Sequence, residues 1–367
     1  MPTMSIRRTE PADTASPPPF PEGWYFLASR RAVEKAKLIG KTWMGESIII
    51  WCDDDGRICV AESHCPHLGA DLGPEAGGRV CDGRLVCPFH GFEYDAGGQC
   101  VATPFAPAPK AARLRVFETT EYVGLIFAWW GIDGRASPWS LPAAPDQAGW
   151  SKLDIWTTRF PGHPQETAEN AVDLAHFRYV HGYDSVARVE PVVTDGYRLE
   201  SRFDFATNRT VAGIKLLSLD LAARTHVLGL GCSYVEVQER SIPLDMRVWI
   251  LATPVDGTLI DLTVAMQVQD VRNPKRRIAG LGFLPVRLRA PILNKFLAPL
   301  QHRDVRQDVT VWTRKQFRPR PRLSRADGEI MTYRTYCAQF YPEPRSVDGH
   351  HAAGNEFPRQ ALESQKQ

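Results

Sequence analysis

No uninterrupted apolar run of signal-peptide type opens this 367-residue chain, and no stretch long enough to span a bilayer as an apolar helix occurs in it. A cytoplasmic protein is therefore the expectation. Charge of one sign is lacking too: 44 Lys and Arg against 42 Asp and Glu leave a net +2, too little to point to a nucleic-acid partner. There is no GxGxxG-type nucleotide fingerprint, so any electron supply would come from outside the chain. The eight cysteines are too scattered for a small secreted disulfide scaffold, and Cys81 and Cys100 read as buried apolar residues. No internal repeat is visible. What remains is an ordinary globular composition, 43% hydrophobic and 23% charged. The length suggests two domains of roughly 150 residues each.

Against that background two cysteine–histidine pairs stand out. Cys65-Pro-His67 is followed, after nineteen residues, by Cys87-Pro-Phe-His90. Two thiolates and two imidazoles in this C-x-H…C-x2-H arrangement are the ligand set of a Rieske [2Fe–2S] cluster, in which the cysteines hold one iron and the neutral histidines the other. Neutral ligands ease reduction and raise the potential. A Cys2His2 zinc site is the rival, but it usually pairs like with like, as CxxC followed by HxxxH. Gly69 and Gly91 each follow a ligand pair where a tight loop must turn, and Pro66 and Pro88 stiffen the loops.

The chain divides into a polar, Pro-rich N-terminus over residues 1–20, read as disordered, an all-β segment over 21–140 holding the cluster loops, a second domain over 150–345 and a polar tail over 346–367. Within the first domain Glu46–Cys52 and Arg57–Glu62 read as a hairpin about Asp53-Asp54-Asp55-Gly56, and Tyr122–Trp130 as one strand. Pro138–Pro145 reads as a linker. In the second domain Gln165–His181 has helical character. Four strand-like segments follow, Tyr197–Phe205, His226–Val237, Met246–Thr253 and Leu259–Gln269, and residues 300–316 are helix-compatible. An antiparallel sheet gripping a helix makes a natural cavity, and the whole is of the α+β class.

The helical segment carries a second donor set. Asn170, Asp173 and His176 recur three apart, which places neighbours on one helix face. His181 lies five beyond His176; a helix ending before Gly182 lets both imidazoles converge. Two histidines and a distant carboxylate form a 2-His-1-carboxylate triad, which leaves open positions on iron(II) for oxygen. The carboxylate is best supplied by Asp308, with Asp304 one turn earlier as the alternative. Asp173, one turn before His176, is positioned to accept a proton from a ligand imidazole. Asn170 is a weak ligand or a hydrogen-bonding residue of the pocket.

A Rieske motif followed by N-x2-D-x2-H-x4-H and a late Asp resembles the catalytic subunit of Rieske non-heme iron oxygenases, over residues 20–342. Within that family Glu169–His181, Asp308-Val-Thr-Val-Trp312 and Ala338-Gln-Phe-Tyr341 are most similar to the branch of 3-ketosteroid 9α-hydroxylases and cholesterol 7-desaturases. The resemblance implies an N-terminal Rieske domain and a C-terminal helix-grip, START-like domain. It implies Cys65, His67, Cys87 and His90 as cluster ligands, and His176, His181 and Asp308 as ligands of a mononuclear Fe(II). Asp173 corresponds to the carboxylate that links the iron site to the cluster of a neighbouring subunit in a head-to-tail homotrimer. Dioxygen, a ferredoxin or NAD(P)H-dependent reductase, and a hydrophobic polycyclic substrate, a steroid or sterol, are the expected partners. The outcome is hydroxylation, desaturation or dealkylation. A smaller aromatic or indole-like substrate is the alternative within the class. A Rieske electron carrier with a lipid-binding domain is the alternative outside it.

Residues 272–300 are basic and apolar together, from Arg272-Asn-Pro-Lys-Arg-Arg277 to Lys295. They read first as a core helix broken by Pro285 and Pro291, and second as a segment making peripheral contact with a membrane.

Overall fold

The computed structural model describes residues 16–211, 214–240, 244–269 and 284–342. Ile48, Ile49, Ile50 and Trp51 are all fully buried, an uninterrupted β-branched and aromatic run that only a strand covered on both faces accommodates. Around it the N-terminal part folds as ten short strands: β1 (Gly23–Ser29), β2 (Leu38–Trp43), β3 (Glu46–Cys52), β4 (Ile58–Glu62), β5 (Arg79–Cys81), β6 (Arg84–Val86), β7 (Glu93–Tyr94), β8 (Cys100–Ala102), β9 (Thr119–Tyr122) and β10 (Leu125–Trp130). A helix, α1 (Arg30–Ala36), follows β1 and is capped by the Ser29 hydroxyl. The strands form three antiparallel sheets, β1-β10-β9, β2-β3-β4 and β5-β6-β7-β8. The expected β3–β4 hairpin is present. The expected single strand over Tyr122–Trp130 is instead a hairpin, because Val123 and Gly124 both take positive φ and reverse the chain. Cys81 is exposed at the β5–β6 turn, contrary to the expectation of burial, while Cys100 is buried. All eight cysteines are free thiols.

The C-terminal part is one seven-stranded antiparallel sheet built from β11 (Asp154–Pro161), β12 (Ser185–Asp195), β13 (Arg198–Val211), β14 (Ile214–Leu228), β15 (Cys232–Glu239), β16 (Leu244–Pro254) and β17 (Leu259–Val268), in the order β11-β17-β16-β15-β14-β13-β12. The expected strand over His226–Val237 is two strands, since Gly229 at positive φ begins a tight reversal between β14 and β15. Three short helical pieces, α2 (Pro164–Ala168), a 3-10 turn at Glu169–Ala171 and α3 (Ala175–Tyr179), replace the continuous helix expected over Gln165–His181. The long helix α4 (Val286–Trp312) lies on β11 and β17, and α5 (Ile330–Ala338) closes the other side.

Of the segment 272–300, residues 272–283 lie outside the described residues, and Pro285 stands immediately before α4. The expected break at Pro291 is absent, and Pro299 does not break the helix either. Each removes one helical hydrogen bond, but both prolines are exposed, so the carbonyls they strand, on Arg287 and Lys295, belong to residues on the solvent side. The inner face, Leu293, Leu297, Val305 and Trp312, packs on Phe160, Val248, Leu262 and Val264 of the sheet. Among the described residues no helix is long and apolar enough to cross a membrane.

The two parts are tied together by backbone and charge. Met44 and Gly45, in the β2–β3 turn, donate to the carbonyls of Pro254 and Val255, and the Thr253 hydroxyl donates to Phe26 O. Asp261 on β17 accepts two hydrogen bonds from Arg159 on β11 (2.7 and 3.0 Å) and pairs with Lys41 on β2 at 3.4 Å. Burial pushes the Asp261 carboxyl up, but the Arg159 hydrogen bonds and the two positive charges more than offset it, so its pKa lies below the ordinary value. A carboxylate depressed on folding contributes stability in full above its unfolded pKa of about 4 and loses it as pH falls through the lower folded value. Thermal unfolding from pH 6 downward is therefore expected to show a steep acid loss of melting temperature that Asp261→Asn makes shallower. An unchanged slope in the variant would remove this contribution.

Candidate active site and metal centres

The two cluster loops are built alike. Cys65 N donates to Ala70 O and Gly69 N returns to Cys65 O; Cys87 N donates to Phe92 O and Gly91 N returns to Cys87 O. Gly69 (φ +75°) and Gly91 (φ +65°) sit in the left-handed region, and a Cβ on Gly91 would meet Pro104 at 2.9 Å. Between the two loops the long spacing is taken up by a 3-10 turn at Pro74–Ala76. The outcome is asymmetric: Cys65 and Cys87 are buried, His67 is exposed and His90 half-buried. The imidazoles of His67 and His90 lie 4.8 Å apart, and His67 stacks on Phe92. His90 Nδ1 is buried without a hydrogen-bond partner in the protein. A buried imidazole nitrogen left bare beside two thiols and a second imidazole fits a metal-cluster ligand set.

Burial pushes the Cys65 thiol up, in part offset by Tyr94, whose hydroxyl lies 2.9 Å from Cys65 Sγ. Against a ligand thiolate that hydroxyl donates, and a donor to sulfur favours the more negative, reduced cluster. Tyr94→Phe is expected to lower the cluster potential by about 50 mV, near a tenfold shift in a one-electron equilibrium. Redox titration followed by electron paramagnetic resonance reads this; an unchanged potential would refute it.

The second donor set forms at the joint between α3, the turn after it and α4. His176 Nε2 or Nδ1, His181 and Asp308 offer ligand atoms that all lie within 4.8 Å of one another. His181 Nε2 is 3.2 Å from Asp308 Oδ1. The convergence depends on the end of α3: Gly182 at φ +69° donates to Arg178 O and swings His181 back toward the helix. Both imidazoles are oriented through Nδ1. That of His181 donates to Gln307 Oε1 at 3.1 Å, and that of His176 donates to the backbone carbonyl of Asp173. Nε2 of each is thereby left with its lone pair facing the partner ligands. Burial pushes the His176 imidazole down to about 4, so it is neutral at ordinary pH, as a ligand must be. Burial also lowers His181, but the hydrogen bond and charge of Asp308, with Gln307, outweigh it and the net shift is upward.

The Asp173 carboxylate is not the group that holds His176; its Oδ2 is 4.0 Å from Nδ1. Its Oδ1 instead accepts from the amides of Ala175 and His176, capping α3, because the helix break before Ala175 turns the side chain back on the new helix start. With 37% of its side chain exposed, the carboxylate is half in solvent, and burial raises its pKa. The same break means that Asn170, Asp173 and His176 do not share one straight helix face.

A cavity opens against the donor set, bounded by α3, the sheet and α4. Phe177, Tyr183 and Phe205 stack on one another and Phe203 is tilted against them, with Val235, Val248 and Ile250 completing the apolar lining. Asn170 lines it, as does Asp304, to whose carboxylate the Tyr183 hydroxyl donates at 3.4 Å. Asp304 is outside the close donor set. Behind the site, Glu169 is buried and joined to Lys315 (3.0 Å) and Arg334 (2.9 Å), locking the 3-10 turn to the end of α4 and to α5. Gln307, Tyr94 and Tyr183 were not singled out from the sequence. Gln307 had one signal, its place beside Asp308; the tyrosines had none.

Comparison with known proteins bears on both halves. The model of the 3-Ketosteroid 9alpha-hydroxylase C-terminal domain matches residues 128–341, and that of the Rieske [2Fe-2S] domain matches residues 23–118. Cholesterol 7-desaturase nvd of Bombyx mori is 26% identical over 329 residues, covering 89% of this chain and 71% of that protein. The oxygenase component of 3-ketosteroid-9-alpha-monooxygenase of Rhodococcus rhodochrous is 26% identical over 358 residues, covering 94% and 86%. The crystal structure of dicamba monooxygenase bound to dicamba superposes with a TM-score of 0.67 at 18% identity, covering 87% and 96%, a likeness of fold alone.

Proposed function

Because this chain belongs to the Rieske oxygenase family with a 3-ketosteroid 9alpha-hydroxylase C-terminal domain, we propose that it hydroxylates or desaturates a steroid or sterol, using dioxygen and electrons from a separate ferredoxin or reductase. Its cofactors are those of the family, a Rieske [2Fe–2S] cluster and a mononuclear iron. The observation that carries the reading is the convergence of His176, His181 and Asp308 beside a cavity walled by stacked aromatic rings. Two histidines and a carboxylate also hold zinc in hydrolases; it is the Rieske domain in the same chain that favours iron and redox chemistry at this donor set.

In this reading Cys65, His67, Cys87 and His90 hold the cluster, and His176, His181 and Asp308 hold the iron. When bound, the cluster supplies single electrons at a raised potential and the iron supplies open coordination positions for dioxygen. The chain's own residues supply position and dryness. Asp173 O and Gln307 fix the two imidazole rings, so each ligand nitrogen is preset before metal arrives. Phe177, Phe203 and Phe205 exclude water and hold an apolar ring system against the donor set. Asn170, Tyr183 and Asp304 supply the polar contacts that orient it.

The domain division follows the linker at Pro138–Pro145. Successive copies meet head to tail as a homotrimer: the exposed His67, with exposed Leu68 and Phe89 in the same two loops, faces the exposed Tyr179 of α3 and the half-buried Asp173 just before it. Asp173 then sits between His176 and a cluster histidine of the neighbour.

The test is product mass after turnover with a surrogate ferredoxin and reductase, NADH and dioxygen, over sterols, 3-ketosteroids and small aromatics. A steroid or sterol that gains one oxygen or loses two hydrogens is the expected result. Steroids left untouched while a small aromatic is oxidised would overturn the substrate class.

A further inference from the structure

Helix α4 has two apolar faces, and the fold uses only one. The inner face is buried on the sheet through Ala290, Leu293, Leu297 and Ala298. On the outer face Leu288 (44% exposed), Ile292 (42%) and Phe296 (63%) follow one another at four-residue intervals, which stacks them into a single ridge in water. Pro291 and Pro299 extend it and are exposed as well. The exposed charged side chains of α4 itself are all positive, Arg287, Lys295, Arg303 and Arg306, while Asp154 on β11 is paired with His302 at 3.4 Å. The two acids of the same helix, Asp304 and Asp308, are buried.

An apolar ridge flanked on its own helix by exposed cations matches the interface of an anionic lipid layer, where the ridge enters the acyl boundary and the cations meet headgroups. A second copy of the chain fits less well, because a two-fold contact through this face sets Arg287, Lys295 and Arg303 against themselves. An acidic redox carrier would meet the charges but leave the ridge unused. It would also dock on the helix that packs on β11 and β17, not on the cluster loops.

We propose that the outer face of α4 docks this protein on an anionic membrane surface. That the surface also delivers the substrate rests on the steroid or sterol reading above; the docking itself does not. The full-length holoprotein is sedimented with phosphatidylcholine vesicles, with and without phosphatidylserine, at low and at physiological salt. Binding is expected to need phosphatidylserine and to weaken with salt. Ile292→Ser with Phe296→Ser, and separately Lys295→Glu, should each weaken it about tenfold, since each removes an apolar or a charge contribution of that order. The variants should keep the parent's iron content, thermal melting and turnover of substrate delivered in solution. No sedimentation at low salt would overturn the proposal, and so would variants that bind as the parent does. A self-association seen by light scattering and abolished by Phe296→Ser, or an acidic ferredoxin captured by the ridge in place of vesicles, would also overturn it. Vesicle binding without any steroid or sterol product leaves the docking standing and removes the substrate reading.

Discussion

Asp308→Ala is expected to take iron from about three to about two per chain while leaving the visible spectrum of the cluster unchanged. Turnover should fall about a thousandfold or more, the worth of several kcal/mol of metal-derived stabilisation. The reason is geometric. Asp308 is buried on the inner side of α4 and is the carboxylate whose oxygen comes within 3.2 Å of His181 Nε2. Without it two imidazoles remain, and among the described residues no other acid lies within the close donor set. Asp304→Asn is the matched control. It removes a carboxylate from the same helix and cavity but should retain the iron. If the two variants exchanged behaviour, with iron lost from Asp304→Asn and kept in Asp308→Ala, the assignment of the third ligand would be reversed.

The second large effect is expected at Asp173, and it is of a different kind. Asp173→Ala should keep both metal centres largely loaded, because His176 is held by the backbone carbonyl of residue 173, which the substitution leaves in place. Steady-state turnover should nonetheless fall about a hundredfold or more, the effect expected of a carboxylate that does not itself hold His176 but carries the contact to a neighbouring copy's cluster. Asp173→Asn separates two causes. The amide oxygen can still cap α3 at the amides of Ala175 and His176, but it carries no charge. Recovery in Asp173→Asn would mean that the cap is what matters. Persistent loss, with iron and cluster intact, is the expected result and ties the carboxylate itself to electron delivery between copies. Full activity of metal-replete Asp173→Ala would rule that role out.

These two residues also show where sequence reading reached and where it stopped. The candidate donors could be read because ligand chemistry is written in residue type and spacing: Cys65, His67, Cys87, His90, and the pair His176 and His181 closed off by Gly182, which the fold brings close together. Asp308 is preferred over Asp304 on the strength of the resemblance, since nothing local distinguishes two acids a helical turn apart and both are buried. The orientation of the ligands was not legible. Gln307 reaches His181 from another element, 126 positions away, and a backbone carbonyl has no sequence signature. Strand reversals at Val123-Gly124 and at Gly229 were missed for a related reason. Apolar residues continue on both sides of these turns, so the hydrophobic pattern runs straight through them. Strands β11 and β12 escaped because they are edge strands of the seven-stranded sheet, half exposed and polar, with a pattern diluted by solvent-facing residues. The break expected at Pro291 is absent because the cost of a helical proline depends on which face of the helix it occupies, and that is a property of packing.

The unbroken course of α4 past both prolines makes it a ruler as well as a wall. Phe296 and Asp308 stand twelve residues apart on one rigid rod, which at 1.5 Å per residue is ~18 Å. The apolar half-thickness of a bilayer is about 15 Å. With the ridge seated at the lipid boundary, Asp308 faces the opposite side of the rod, so the body of the helix, about 10 Å across, also stands between the lipid and the reacting position. A molecule held among acyl chains must leave them to travel round that rod. Oxidation would then act on a fully extracted molecule, and the slow step in a vesicle-fed assay would be desorption, which quickens with shorter or more fluid lipid chains while the rate on solubilised substrate stays fixed.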